Sequence, residues 1–150
     1  MPNILIRIPK DSFQGDARAQ LIRQVTEAAS RVEQIPDESK NRMMCWVLVE
    51  EISSGNWSCG GEDLTSTLLP CMAEIFVPAG VLTKTSREAY VKVIDEALRS
   101  TQTSDDKRQI ATSTILHEIE DGQWGVNGRI WPLSQFARAA GFKHLQHLVT

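Results

Sequence analysis

Cysteine is scarce in this 150-residue chain, aromatic residues make up only 6% of it, and nowhere do about 18 apolar residues run together. Cys45, Cys59 and Cys71 are odd in number and irregular in spacing. They fit neither a disulfide framework nor a zinc-ligand pattern, and read as reduced, packed thiols. Without an apolar run there is no candidate membrane span. The N-terminus has neither the basic stretch nor the apolar core of a secretory signal, so a cytoplasmic location is expected. Charge of one sign is also missing: 16 Lys and Arg are dispersed among 19 Asp and Glu, which leaves no footprint for nucleic acid or an anionic membrane. His144 and His147 lie three apart with no Cys or acidic pair to complete a metal set, so no metal is expected. A chain that is 41% hydrophobic and 23% charged remains, as expected of one soluble globular unit spanning residues 1–150.

Self-comparison is more informative than composition. Ile4-Leu5-Ile6-Arg7-Ile8-Pro9 aligns with Ala73-Glu74-Ile75-Phe76-Val77-Pro78 at a shift of 69 residues. The same shift carries Leu21, Ile22, Val25, Ala28 and Ala29 onto Tyr90, Val91, Ile94, Ala97 and Leu98, which share one helix face. At a shift of 67, Glu51-Ile52-Ser53-Ser54-Gly55-Asn56-Trp57 meets Glu118-Ile119-Glu120-Asp121-Gly122-Gln123-Trp124, and Gly61 meets Gly128. A two-residue difference in spacing is what loops tolerate.

Each half therefore reads as strand, helix, strand and Gly-rich turn. The first unit (2–62) has a strand at 3–9, a helix at about 16–34 capped by Asp16 and ended near Pro36, and a strand at about 44–52. The second unit (70–129) opens its helix at Thr85 and Glu88, which have capping-box spacing, and returns through a strand at about 110–119. The connector from Asp63 to Pro70 joins the halves. A helix between two strands is the crossover that parallel strands require. The expected fold class is α/β (α+β): a tandem β-α-β repeat forming a four-stranded sheet with two helices on one face. A tail, 130–150, has no counterpart in the first unit. Ser134 is its expected helix cap and Gly141 its stop, and Leu133, Phe136 and Phe142 are expected to cover a sheet edge or a subunit contact. The bare sheet face implies a homo-oligomer.

Proline stands second, and removal of Met1 would leave its ring amine at the head of the first strand. A partly desolvated amine loses its proton more readily than a free one, so a neutral Pro2 is a candidate base near neutral pH. Its counterpart in the second unit, Cys71, is internal and has no free amine. One active site per chain is expected.

These features together resemble the tautomerase superfamily, specifically fused members built from two copies of a 4-oxalocrotonate tautomerase-like unit. The resemblance covers residues 2 to about 129. It rests on the Met1-Pro2 start, the helix containing Leu21-Ile22-Arg23-Gln24-Val25-Thr26-Glu27-Ala28, and Val47-Leu48-Val49-Glu50-Glu51-Ile52 followed by Gly55-Asn56-Trp57-Ser58-Cys59-Gly60-Gly61. It implies a tautomerase/MIF-like fold, a trimer of fused chains, no cofactor, a small carboxylic acid substrate, and Pro2 as the catalytic group. The family's arginine in the loop after the first strand is here Lys10. The position of its second arginine holds Trp46, with Arg42 close before it. Lys84 and Arg108 are the second-unit equivalents of Lys10 and Arg42. A lysine does not reproduce the bidentate arginine clamp, and Arg7, Arg18 and Arg129 are further cations that a pocket could use. Trp57 matches an aromatic that walls the family's site, while Trp57 and Trp124 could equally pack behind the turns.

The function implied is enol–keto isomerisation of a small 2-hydroxy-dienoate or enolpyruvate-type acid with Pro2 as general base. A hydratase or hydrolytic dehalogenase with Pro2 as general acid is the alternative, and requires Glu50 or Glu51 to face the pocket. A noncatalytic oligomeric binding module is a third reading, favoured if Met1 is retained.

Overall fold

Strand β1 (Asn3–Pro9) alternates half-buried and buried residues, and Ile4, Ile6 and Ile8 are fully buried on one face. The period of two sends Asn3, Leu5 and Arg7 to the other face. The computed structural model describes all 150 residues. After β1 come α1 (Asp16–Val32), a short α2 (Ser39–Arg42), β2 (Trp46–Ile52), β3 (Leu68–Pro78), α3 (Lys84–Thr101) and β4 (Gln109–Ile119). A small hairpin of β5 (Gly125–Val126) and β6 (Arg129–Ile130), then α4 (Leu133–Ala140) and a 3-10 turn (Lys143–Leu148), complete the chain.

The sheet order is β2-β1-β3-β4. Within each unit the strands run parallel, and the two units meet antiparallel along β1 and β3. Leu5 pairs with Glu74, which is its own counterpart at the 69-residue shift. A pseudo-twofold axis therefore passes between those two residues and relates the halves. Helices α1 and α3 pack side by side on one face, where Leu21, Val25, Ala29, Tyr90, Ile94 and Leu98 meet Ile4, Ile6, Ile75 and Val77. Each fully buried Ile or Leu contributes roughly 1.5–3 kcal/mol. The opposite face carries no helix and leaves Trp46, Leu48 and Ile115 54%, 48% and 41% exposed.

The element boundaries differ from expectation in instructive ways. Gly15, at φ 61°, occupies the α1 cap position, so Asp16 is the first helical residue and acts on the helix dipole instead of capping. The capping box of α3 is Thr83 with Ser86, two residues before the expected pair, and Ser86 N–H donates to Thr83 Oγ1 at 3.2 Å. Strand β2 begins at Trp46, and β3 begins at Leu68 inside the expected connector. Pro132, not Ser134, precedes α4, and the Leu133 N–H is satisfied by Asp121 Oδ1 at 2.8 Å.

The tail enters the core instead of lying along a sheet edge. Phe136, Phe142 and Leu145 are buried, and Phe136 packs against Trp124 and Trp131 at ring-centroid distances of 5.2 and 5.3 Å. Lys143 N–H bonds the Gln34 carbonyl at 3.0 Å, and Asn41 Nδ2 bonds the Ala139 carbonyl at 3.1 Å. These contacts close the end of the helical layer where α1 finishes and β1 begins.

Candidate active site

The antiparallel meeting of the two units brings the start of β1 and β2 together with the ends of β3 and β4. Pro2 is buried there, and its carbonyl accepts the Trp46 N–H at 3.0 Å. Met1 is buried too, at 4% exposure, within the core cluster. Burial pushes its α-amine down to about 6, opposed by the negative charge of Glu33. Glu33, at the end of α1, is fully buried, and burial pushes its carboxyl up to about 7. Tyr90 on α3 donates a 2.6 Å hydrogen bond to Glu33 Oε2. Cys45, just before β2, has its thiol pushed up to about 12 by burial, with Glu33 next in effect, and stays neutral.

Of the sequence-predicted site residues, Arg42, Trp46 and Lys84 lie at this end. Arg42 closes α2, and its guanidinium is held by Glu27 and by Asp37, the latter at 2.7 Å. Trp46 stands on the bare sheet face with its indole N–H donating to the Met43 carbonyl at 3.1 Å. Lys84 begins α3, exposed and unpaired.

Lys10, Arg108 and Trp57 lie at the opposite end of the sheet. The seven residues of β1 separate Pro2 from Lys10, and the eight steps between them span about 26 Å at ~3.3 Å per residue. Lys10 and Arg108, one from each unit, line one cleft of about 270 Å³ with Pro9, Asp11, Ser53 and Thr65. Arg108 is committed there to Asp106, at 2.7 and 2.9 Å, to the Thr65 carbonyl at 3.1 Å and to Ser12 Oγ at 3.0 Å. Lys10 has no such partner. Trp57 lines a separate cleft of about 350 Å³ with Arg7, Ile52, Asn56 and Met72, on the bare sheet face. Its turn is pinned by Asp63, which accepts the N–H groups of Gly55 and Thr65 at 2.9 Å each; these bonds and the Thr65 hydroxyl hold its carboxyl down to about 2. Trp124 instead backs the tail. Arg18 bonds Glu51, and Arg7 bonds Glu50 and Glu74. The second-unit counterpart of Pro2, Cys71, is buried inside β3 opposite Thr112. Cys45 and Cys59 are half-buried, and all three thiols are free.

Sequence reasoning passed over Glu33 and read Tyr90 only as part of a helix face. The signal was present: stepping by four from Val25 through Ala29 along the apolar stripe of α1 arrives at Glu33, a charge where an apolar residue belongs, and Tyr90 is the chain's single tyrosine.

Comparison with known proteins agrees with this architecture. No family model matches the chain. "Probable tautomerase K2" of Dickeya dadantii (strain 3937) is 34% identical over 65 residues, which are 43% of this chain and 90% of that protein. Among solved structures, the R7 fused 4-OT asymmetric trimer superimposes with a TM-score of 0.67 at 20% identity, over 93% of this chain and 98% of that one. The Q0 fused 4-OT symmetric trimer gives 0.67 at 18%, over 92% and 98%. Pt0534 inactivated by 2-oxo-3-pentynoate gives 0.68 at 16%, over 85% and 94%. The mixed sheet with both helices on one face is thus the fold shared by 4-OT and MIF-type proteins. The chain belongs to the tautomerase superfamily, in the fused form that carries two 4-oxalocrotonate tautomerase-like units.

Proposed function

We propose that this protein is a cofactor-independent tautomerase in which Pro2, freed by removal of Met1, is the general base for enol–keto isomerisation of a small 2-hydroxy-dienoate or enolpyruvate-type acid. The observation that carries the reading is the location of Pro2: a buried ring at the head of a central strand, with its carbonyl held by Trp46. A neutral ring nitrogen takes the enol proton from oxygen and returns it to carbon, and burial favours the neutral form. The second unit has no amine to offer, since Cys71 stands inside a strand, so it acts as framework and wall within one domain of residues 1–150.

The carboxylate of the substrate needs a cation, and within one chain the unpaired Lys10 lies a strand-length from Pro2. Lys84, exposed and unpaired at the start of α3, is the cation at the Pro2 end of the same chain, whereas Lys10 meets Pro2 only if another copy supplies one of them. Two observations support such an assembly: the bare sheet face exposes Trp46, Leu48 and Ile115, and the fused 4-OT neighbours are trimers. A homotrimer in the cytoplasm, with substrate held by Lys10, Arg42, Trp46, Trp57, Lys84 or Arg108 from different copies, is the fuller form of the proposal. Hydration or dehalogenation gains no support from the acids first considered for it. Glu50 and Glu51 are tied to Arg7 and Arg18 near the far end of β2.

The test is intact mass before and after treatment with a 3-halopropiolate, beside ketonisation assays on phenylenolpyruvate and 2-hydroxymuconate. Loss of Met1, one adduct on Pro2 and turnover are expected, and Pro2→Ala should lose on the order of 10²–10⁴-fold in rate with fold and assembly intact. Retained Met1 with neither adduct nor turnover overturns the reading.

A further inference from the structure

Glu33 is a carboxylate out of pattern. It is fully buried at the end of an apolar helix stripe, Tyr90 satisfies its Oε2 at 2.6 Å, and its Oε1 has no hydrogen-bond partner. Leaving a buried acceptor unpaired costs roughly 1–3 kcal/mol, more if it is charged, so such an oxygen in a native core calls for a donor. A mobile proton is at hand on the amino-terminal amine, buried at the head of β1 and in Coulombic range of Glu33.

We propose that Glu33 is a positioning residue for the amino-terminal amine: Tyr90 fixes Oε2, Oε1 accepts the N–H of the amine, and the pair holds one proton that sets the pH at which Pro2 becomes a base. This rests on the reading of Pro2 as the reactive amine. Removal of Met1 moves the amine along the chain by one residue, about 3.8 Å between Cα atoms, and vacates the Met1 side-chain volume in the same core. The pair is then an acid and a base whose buried setting pushes them in opposite directions, toward neutral forms. Two such groups titrate together, with macroscopic steps that belong to the pair.

The elements packed at this end bring other side chains toward it. From α3 comes Tyr90, whose own ionisation is pushed well up by burial and by Glu33. From the segment before β2 comes the neutral Cys45 thiol. Arg42 is held by Glu27 and Asp37. The tail packed over this end offers Lys143, which is exposed, and His144, whose Nε2 bonds the Val81 carbonyl at 2.9 Å.

The experiment reads the amine directly. Reductive methylation of the amino terminus with formaldehyde and cyanoborohydride, followed by peptide mass spectrometry across pH 5–9, gives the amine's titration midpoint in wild type, Glu33→Gln and Tyr90→Phe. Removing the carboxylate strips the ammonium of its partner, so in Glu33→Gln the midpoint should move down by about one pH unit, a roughly tenfold gain in neutral amine at pH values below it. Tyr90→Phe leaves Glu33 to hold its proton more tightly and should move the midpoint the same way with the core volume kept; it serves if Glu33→Gln does not fold. In ketonisation, the acid limb of the kcat/KM profile should follow the same shift. An unmoved midpoint in the folded variants overturns the proposal. A moved midpoint in a protein without turnover upholds the Glu33–amine pair while removing Pro2 as a catalytic base, so the two failures are distinguishable.

Discussion

Phe76 stacks on His117, with ring centroids 4.3 Å apart and planes 7° from parallel. The pair lies on the helix-free face of the sheet, where His117 Nε2 also bonds Glu74 Oε1 at 3.1 Å. Glu74 in turn pairs with Arg7, and Arg7 with Glu50 at 2.9 Å, so one polar belt crosses all four strands from β2 to β4. Such a belt fixes register, because a one-residue slip sends every member to the other face.

Arg7 is the hub of that belt, and it holds the Glu74 carboxyl below its ordinary range, with His117 adding to the effect. A carboxylate with a depressed folded value contributes stability that is present above its unfolded value and is lost as pH falls through the folded one. Arg7→Met should therefore lower the thermal midpoint at pH 7, by the equivalent of about 1 kcal/mol or less for a partly exposed pair, with the difference vanishing in acid. Melting curves at pH 7 and pH 3 check this, and an equal loss at both values would count against an ionic origin.

The same face carries the exposed Leu48 and Ile115 on the two outer strands. If that face is the contact between copies, Leu48→Glu with Ile115→Glu should reduce the assembly to monomers while the helix-side core stays intact. Light scattering after gel filtration, with circular dichroism alongside, reads both, and an unchanged mass would locate the contact elsewhere.

Glu33 makes a separate prediction about stability. Its folded value of about 7 stands above the reference of 4.5, so the folded state keeps a proton that the unfolded chain releases between those values. Its contribution to stability falls as pH rises through that window and is constant above it. The lowered α-amine, at about 6 against 8, works in the opposite sense between those two values. Glu33→Gln should remove the downward slope between pH 4.5 and 7 and be the more stable protein at pH 8. Urea midpoints at pH 4.5, 6 and 8 test it; parallel slopes in the two proteins would refute the assignment.

The tail is built as core. Phe136 and Phe142 are 1% and 0% exposed, and truncating a buried Phe to Ala costs about 3–5 kcal/mol. Either substitution should destabilise the whole domain cooperatively in urea, and a wild-type midpoint would show that the tail is dispensable.

Gly141 ends α4 at φ 72°, and a Cβ there would stand 2.8 Å from Asn41 Nδ2 and 3.2 Å from Pro36. Gly141→Ala should cost at least about 1 kcal/mol through the left-handed backbone alone, before the clash is counted. Differential scanning fluorimetry suffices, with Gly122→Ala, also at positive φ but in open space, as the control that isolates the steric part.

Local periodicity explains how much of this was readable in advance. The alternation Ile4, Ile6, Ile8 and the helical spacing Tyr90, Ile94, Leu98 are properties of short segments, so element types and the repeat emerged from the chain itself. Caps slipped by a residue or two because several side chains near each helix start are competent, and Thr83, with extended backbone and its side chain accepting the Ser86 N–H, took the role expected of Thr85. Lys10 and Arg108 could be named from the repeat, but their shared cleft and the bonds of Arg108 to Ser12 and to the Thr65 carbonyl depend on how β3 and β4 extend past β1.

By itself, then, the amino-acid sequence determined two β-α-β units, their amphipathic helices and a proline at the head of the first strand, since periods of 2 and 3.6 and the order of residues are local quantities. Only the tertiary structure decided that Glu33 and Tyr90, 57 positions apart, share a hydrogen bond beside the amino terminus, that the tail enters the core, and that Lys10 and Arg108 line one cleft. Those relations are set by antiparallel pairing of β1 with β3 and by the packing of α1 on α3, contacts between segments far apart in the chain that no local pattern encodes.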